Sequence, residues 1–294
     1  MQNIRRALVA FLLLTGVGWW LVQPQQVAAL SGFFDWRGLL MQFSGVLGIG
    51  VMSFAMLLTL CPAILERPLG GLDKLYRLHK WLGIAGLAIS VSHWLLAQGP
   101  KWLVQLGWLT RGQRPPRPVL APDSLAGWFA QQRGFAEGVG EWAFYAAAVL
   151  MVLALVKRFP YRRFVQTHRL LALCYLALVF HGVVLLRIEV WSSAFGIAFA
   201  LLLALGSLGA LLALARRPLG APRVPARVVA LERLPALGAL VVDVETAAGW
   251  PGHEAGQFAF VRFGDGEAPH PFTITSAWTG APRLRFVIKA LGDY

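Results

Sequence analysis

Four of the six histidines in this chain lie at or within apolar stretches: His79 with His93, and His168 with His181. An ionisable side chain inside a bilayer span is costly to bury and is a functional candidate by default. Neutral imidazole is also a common ligand for metals and for haem iron. The members of the two pairs stand fourteen and thirteen residues apart, about 20 Å along a helix at roughly 1.5 Å per residue. Two helices so equipped could hold two haems, one near each face of a roughly 30 Å hydrocarbon layer. Matching depth pairs His79 with His168 and His93 with His181.

Helical geometry makes the two pairs unequal. Fourteen residues at about 100° each fall only about 40° short of four turns, so His79 and His93 share a face. Thirteen residues fall about 140° short, so His168 and His181 do not share one on an ideal helix. Distortion, tilt or side-chain reach must supply the difference. Interhelical hydrogen bonding would account for one such histidine more easily than for four. Zinc is the weaker metal because neither pair has a cysteine or carboxylate cluster beside it.

The elements that must carry these residues belong to a membrane. Of 294 residues, 57% are hydrophobic and 14% charged, with mean hydropathy +0.60, too apolar for a soluble domain of this length. The two cysteines, Cys61 and Cys174, do not suggest a disulfide framework and read as packing residues. A net charge of +13 invites comparison with nucleic-acid binders. The basic residues instead gather at the ends of apolar runs, as the positive-inside bias requires: Arg5 and Arg6; Arg67, Lys74, Arg77 and Lys80; Lys157, Arg158, Arg162 and Arg163; Arg216 and Arg217. The partner is a lipid bilayer, with no nucleic acid.

Six apolar runs are expected as membrane helices, at 7–22, 39–61, 80–97, 139–156, 167–186 and 191–215. The first resembles a signal peptide but lacks a small-residue cleavage site. An inside N-terminus places the four basic groups on one side. Arg37, Lys101, Arg111, Arg114, Arg117, Arg133 and Arg187 then lie on the other. Trp19, Trp20, Trp36, Trp94, Trp142 and Trp191 read as an interfacial belt. A 98–138 loop contains Arg114-Pro115-Pro116-Arg117-Pro118, and its stretch through Trp128 and Phe129 is expected to lie along the membrane surface.

After residue 215 the apolar period changes to two, over 227–234, 239–246, 256–263, 270–277 and 283–290. Five strands at this spacing predict an antiparallel barrel or sandwich. The expected architecture is an all-α membrane domain at 1–215, with six transmembrane helices as a two-haem bundle, followed by an incomplete antiparallel β-barrel at 216–294. The chain stops at Gly292-Asp293-Tyr294 without a closing helix and reads as cut short. No G-x-G-x-x-G loop follows a strand. His253, in Pro251-Gly252-His253, reads as part of a surface turn without a role.

Leu78-His79-Lys80-Trp81-Leu82-Gly83 with His93, then Thr167-His168-Arg169 with His181-Gly182, resembles the ferric reductase and NADPH oxidase superfamily. That resemblance implies a six-helix domain whose third and fifth helices bind two b-type haems through His79, His93, His168 and His181. Gly256-Gln257-Phe258 followed by His270-Pro271-Phe272-Thr273 resembles the flavin-binding barrel of the same superfamily. It implies that His270, Pro271, Phe272 and Thr273 lie against FAD, with Val287, Ile288 and Lys289 near its ribityl and phosphate part. The family carries a nicotinamide-binding domain after the barrel, so NAD(P)H is the expected electron donor, with its site outside this chain.

The expected function is electron transfer from cytosolic NAD(P)H to an extracytoplasmic acceptor. The inner or plasma membrane is crossed several times, with the N-terminus and flavin domain cytoplasmic. Oxidases of the superfamily often have a further histidine where this chain has Ala97, and an aromatic between the haems where it has Cys174 and then Tyr175. These departures favour ferric-chelate reduction over superoxide formation from dioxygen. A non-enzymatic haem-binding subunit is a further alternative, against which the flavin motif argues.

Overall fold

A computed structural model describes residues 2–23, 27–28, 30–60, 69, 72–110, 121, 123–156, 160–215, 224–254, 257–263 and 269–289. Cys61, Arg67, Arg111, the Arg114–Pro118 segment, Lys157, Arg158, Arg216, Arg217, Gly256 and the last five residues lie outside this set, as does the side chain of Arg162.

Six long helices carry the apolar runs: α1 Gln2–Leu21, α2 Phe33–Leu58, α3 Leu72–Gln105, α4 Leu125–Leu155, α5 Tyr161–Leu185 and α6 Ala194–Leu214, with one helical turn, Ile188–Trp191, before α6. Each of the six has a segment long and apolar enough to cross a membrane. This is a multi-pass membrane protein. Helix α2 is central, packing on α3, α6, α1 and α5. Its small residues permit that. A Cβ on Gly50 would sit 3.2 Å from Phe199, and one on Gly48 3.4 Å from Ile89. Small residues at helix contacts replace the missing hydrophobic drive between helices in lipid.

Two expectations about the helices are corrected. The 98–138 segment is not one loop: 98–105 continues α3, and 125–138 opens α4, which carries Trp128 and Phe129. Ser124 caps α4, its hydroxyl accepting from Gly127 N at 3.0 Å. On α3, Pro100 lies inside the helix. Proline has no N–H for the carbonyl four residues back. Arg37 of α2 takes that place, its Nε donating to Leu96 O at 2.8 Å and its Nη2 to Ala97 O at 3.3 Å. The second correction is Trp19. It is fully buried in the bundle core, 5.3 Å from the Phe43 ring, and not interfacial.

The strands are β1 Ala226–Leu234, β2 Ala239–Thr246, β3 Phe258–Val261, β4 His270–Thr273 and β5 Arg283–Lys289. They form an antiparallel sheet in the order β1-β2-β5 and a β3-β4 pair. A single bridge, Ile274 to Phe286, joins the two. Among the described residues the strands do not close into a barrel. Val242, Val244, Ile274, Leu284 and Phe286 form the core between the sheets.

Candidate functional site

The four membrane histidines meet in two pairs. The rings of His79 and His168 are centred 5.9 Å apart, and those of His93 and His181 6.4 Å apart. Two imidazoles on one metal, each bonded at about 2 Å with the ring centre roughly 1.1 Å farther, stand about 6 Å apart. Both pairs fit that separation. Helix α3 packs on α2 and α5 packs on α4, with no comparable packing of α3 against α5. The imidazoles face each other across the gap.

Three of the four rings are fixed through Nδ1. His79 Nδ1 donates to Ala55 O at 2.9 Å, and His181 Nδ1 to Ala136 O at 2.8 Å. His93 Nδ1 lies 2.9 Å from Ser44 Oγ, whose own hydrogen goes to Leu40 O at 2.7 Å, so the hydroxyl accepts from the imidazole. A neutral imidazole that donates through Nδ1 keeps its lone pair on Nε2, the tautomer a metal needs. His168 Nδ1 is buried and has no hydrogen-bond partner among the described residues, and its ring stacks on Phe164 at 4.9 Å.

The 140° offset on α5 is absorbed by reach. His181 leans toward α4, where Gly140 makes room: a Cβ there would overlap the imidazole. His168 lies over Phe164 of its own helix. The two ligands therefore leave α5 from different sides. Between them, Tyr175 is 1% exposed and turns away into the bundle, its hydroxyl donating to Ser53 Oγ at 2.9 Å. Cys174, half-buried, lines an apolar groove of about 610 Å³ with Gly138 and Trp142. Among the described residues no group of three or more His, Cys, Asp or Glu could hold a metal ion.

The seven candidate flavin residues divide between two faces. His270 and Phe272 are half-buried, whereas Pro271 and Thr273 are exposed. The bridge sets Ile274 opposite Phe286, both buried. Continuing that alternation puts Thr273 and Val287 on the outward side, with Pro271 and Lys289. Ile288 packs inward with Phe272. Pro271 and Thr273 on β4, and Val287 and Lys289 on β5, thus lie on the sides of their strands away from the core, while His270, Phe272 and Ile288 face it.

Residues 44–179 match the family described as the ferric reductase like transmembrane component.

This part of the chain, a little under half, is similar to that family. The match opens on Ser44, the partner of His93, and contains His79, His93 and His168. It ends at Val179, two residues before His181. No curated protein matches the chain.

Sequence reasoning missed the groups that hold the rings. Backbone carbonyls carry no residue signature, so Ala55 and Ala136 were invisible. Gly140 was visible only as one of several glycines on α4. His253 is not idle: its Nε2 donates to Ser276 O at 2.8 Å, and Trp250 Nε1 donates to its Nδ1 at 3.4 Å. It ties the β2–β3 connection to the segment leaving β4.

Proposed function

We propose that this ferric reductase-like protein carries electrons across a membrane, from cytosolic NAD(P)H by way of FAD and two b-type haems to an extracytoplasmic acceptor, with ferric-chelate reduction as its activity. One observation carries the reading: two facing imidazole pairs on α3 and α5, spaced for one metal each. Paired imidazoles of this kind are a ligand set that would hold a haem iron.

His79 and His168 hold the inner haem in this reading, and His93 and His181 the outer one. The haems supply reversible one-electron chemistry, and FAD exchanges a hydride for single electrons. Held by two imidazoles each, the haems would carry electrons rather than bind dioxygen directly. The hydrogen bonds of Ala55, Ser44 and Ala136 keep three rings in the ligating tautomer. The outward sides of β4 and β5, with Pro271, Thr273, Val287 and Lys289, receive FAD, where the Lys289 ammonium suits a pyrophosphate. Arg5, Arg6, Lys74, Arg77 and Lys80, at the starts of α1 and α3, make that end cytoplasmic.

The test is the absorbance of the purified chain after haem loading. Two b-type haems per chain, with one lost in His79→Ala or His168→Ala and the other in His93→Ala or His181→Ala, is the expected result. A full haem complement in all four variants would overturn it. Membranes supplied with NAD(P)H should reduce a ferric chelate by a route insensitive to superoxide dismutase. Reduction abolished by that enzyme selects the oxidase reading instead.

A further inference from the structure

The outward surface of β3 and β4 meets the membrane domain at Tyr76. Tyr76 of α3 lies with its ring 6.0 Å from Phe258 and 6.0 Å from Phe260, at 39° and 72° to them. In the β3–β4 register Phe258 stands opposite Thr273, and Phe260 opposite Pro271. Paired residues of an antiparallel ladder point to the same side. The two phenylalanines therefore share the face of Thr273 and Pro271, while Ala259, Val261 and Phe272 pack into the core.

Tyr76 is also three residues before His79, which places it beside the inner histidine on the same helix face. One aromatic side chain thus touches the candidate flavin surface and shares a helical turn with the inner ligand. The contact is aromatic, edge-on toward Phe260 and tilted toward Phe258, and such ring pairs are worth more than area alone. About half of Phe260 and of Tyr76 stays exposed, at 46% and 44%, so the joint does not cover the surface it holds.

We propose that Tyr76 is a positioning residue: it docks the β3–β4 face, with Pro271 and Thr273, against the inner histidine pair. This rests on the flavin and haem reading above. The tyrosine ring, clasped by Phe258 and Phe260, sets where a flavin on that face stands relative to His79 and His168. Neither the histidines nor the flavin strand fixes that distance alone, because they belong to different elements.

Two measurements test it, one without any cofactor. In a Cys61→Ser, Cys174→Ser background, Tyr76→Cys with Phe260→Cys should be bridged by a short bismaleimide before haem or FAD is added, as read by peptide mass. No bridging would overturn the joint. The second uses the full chain loaded with haem and FAD, the flavin being reduced by light with an amine donor and haem reduction followed by absorbance. Tyr76→Leu should slow haem reduction about tenfold or more, the scale expected when reacting groups are displaced by about 1 Å. Its haem content, its dithionite-reduced spectrum and its FAD affinity should be unchanged. Tyr76→Phe should restore the rate to within about twofold, since the ring and not the hydroxyl makes the contact. Phe260→Leu, which removes the same contact from the other side, should match Tyr76→Leu. Wild-type rates in both leucine variants, with both cofactors bound, overturn the positioning role and leave the function standing. Bridging in the double-cysteine variant, with no FAD or haem bound by the wild-type chain, overturns the function itself.

Discussion

The imidazole of His181 fills the space that a side chain at position 140 would need, and reaches Ala136 O one turn back along α4. Gly140→Ala should therefore displace that ring. The expected result is loss of about one of two haem equivalents, read by absorbance of the loaded chain. A Cβ on Gly138, on the same helix, would meet nothing within 4 Å. Gly138→Ala should keep both haems and gain roughly 0.5–1 kcal/mol of helix stability.

His93 is the one ring whose Nδ1 partner is a side chain. Ser44→Ala removes the acceptor and leaves the other histidines untouched. Loss of such an outer partner typically costs about 10- to 100-fold in metal affinity. The outer haem should leave first in a competition with apomyoglobin, while the His79/His168 haem leaves at its wild-type rate.

Arg37 and Pro100 should be coupled. Arg37→Met strips the donor from Leu96 O, costing about 1.5–3 kcal/mol for a hydrogen bond from a charged group. Pro100→Ala returns a backbone N–H to that carbonyl. In thermal unfolding of the detergent-solubilised chain, the loss on Arg37→Met should be smaller in the Pro100→Ala background. Equal losses in both backgrounds would break the link.

Asp243 and Arg285 are opposed on β2 and β5 and joined by two bonds of 2.7 and 2.9 Å. The guanidinium beside it holds the Asp243 carboxyl below its ordinary value near 3.8. A carboxyl lowered on folding stabilises the fold fully above its unfolded pKa, and that contribution disappears as pH falls through the folded one. Sheet stability followed by circular dichroism should therefore drop as pH falls below about 4. Asp243→Asn should be less stable at neutral pH and should flatten that dependence. An unchanged slope would remove this pair as its source.

Much of this site was legible because its chemistry is carried by rare residues in a poor background. A histidine in an apolar run is conspicuous, and the depth match alone set the two pairs. What the sequence hid depends on backbone atoms and on handedness. Ala55 and Ala136 act through carbonyls that any residue would offer. The side from which His181 leaves α5 is decided by an empty position on another helix. Trp19 was assigned to the interface by its type, whereas its neighbour Phe43 draws it into the core. The ends of α3 and α4 were missed because Pro100 reads as a breaker, and its compensation comes from Arg37, more than sixty positions earlier. The period-two pattern located β4, the strand that carries His270-Pro271-Phe272-Thr273. The same alternation turns His270 and Phe272 to one side of β4 and Pro271 and Thr273 to the other, a division that the motif as a string conceals.

The separation of α3 from α5 has a consequence for how the imidazole pairs respond to change. Each helix is seated on a different neighbour, α3 on α2 and α5 on α4, so the width between facing imidazoles is set by two independent helix contacts. A substitution that loosens either contact shifts one side of both pairs together, because His79 shares α3 with His93 and His168 shares α5 with His181.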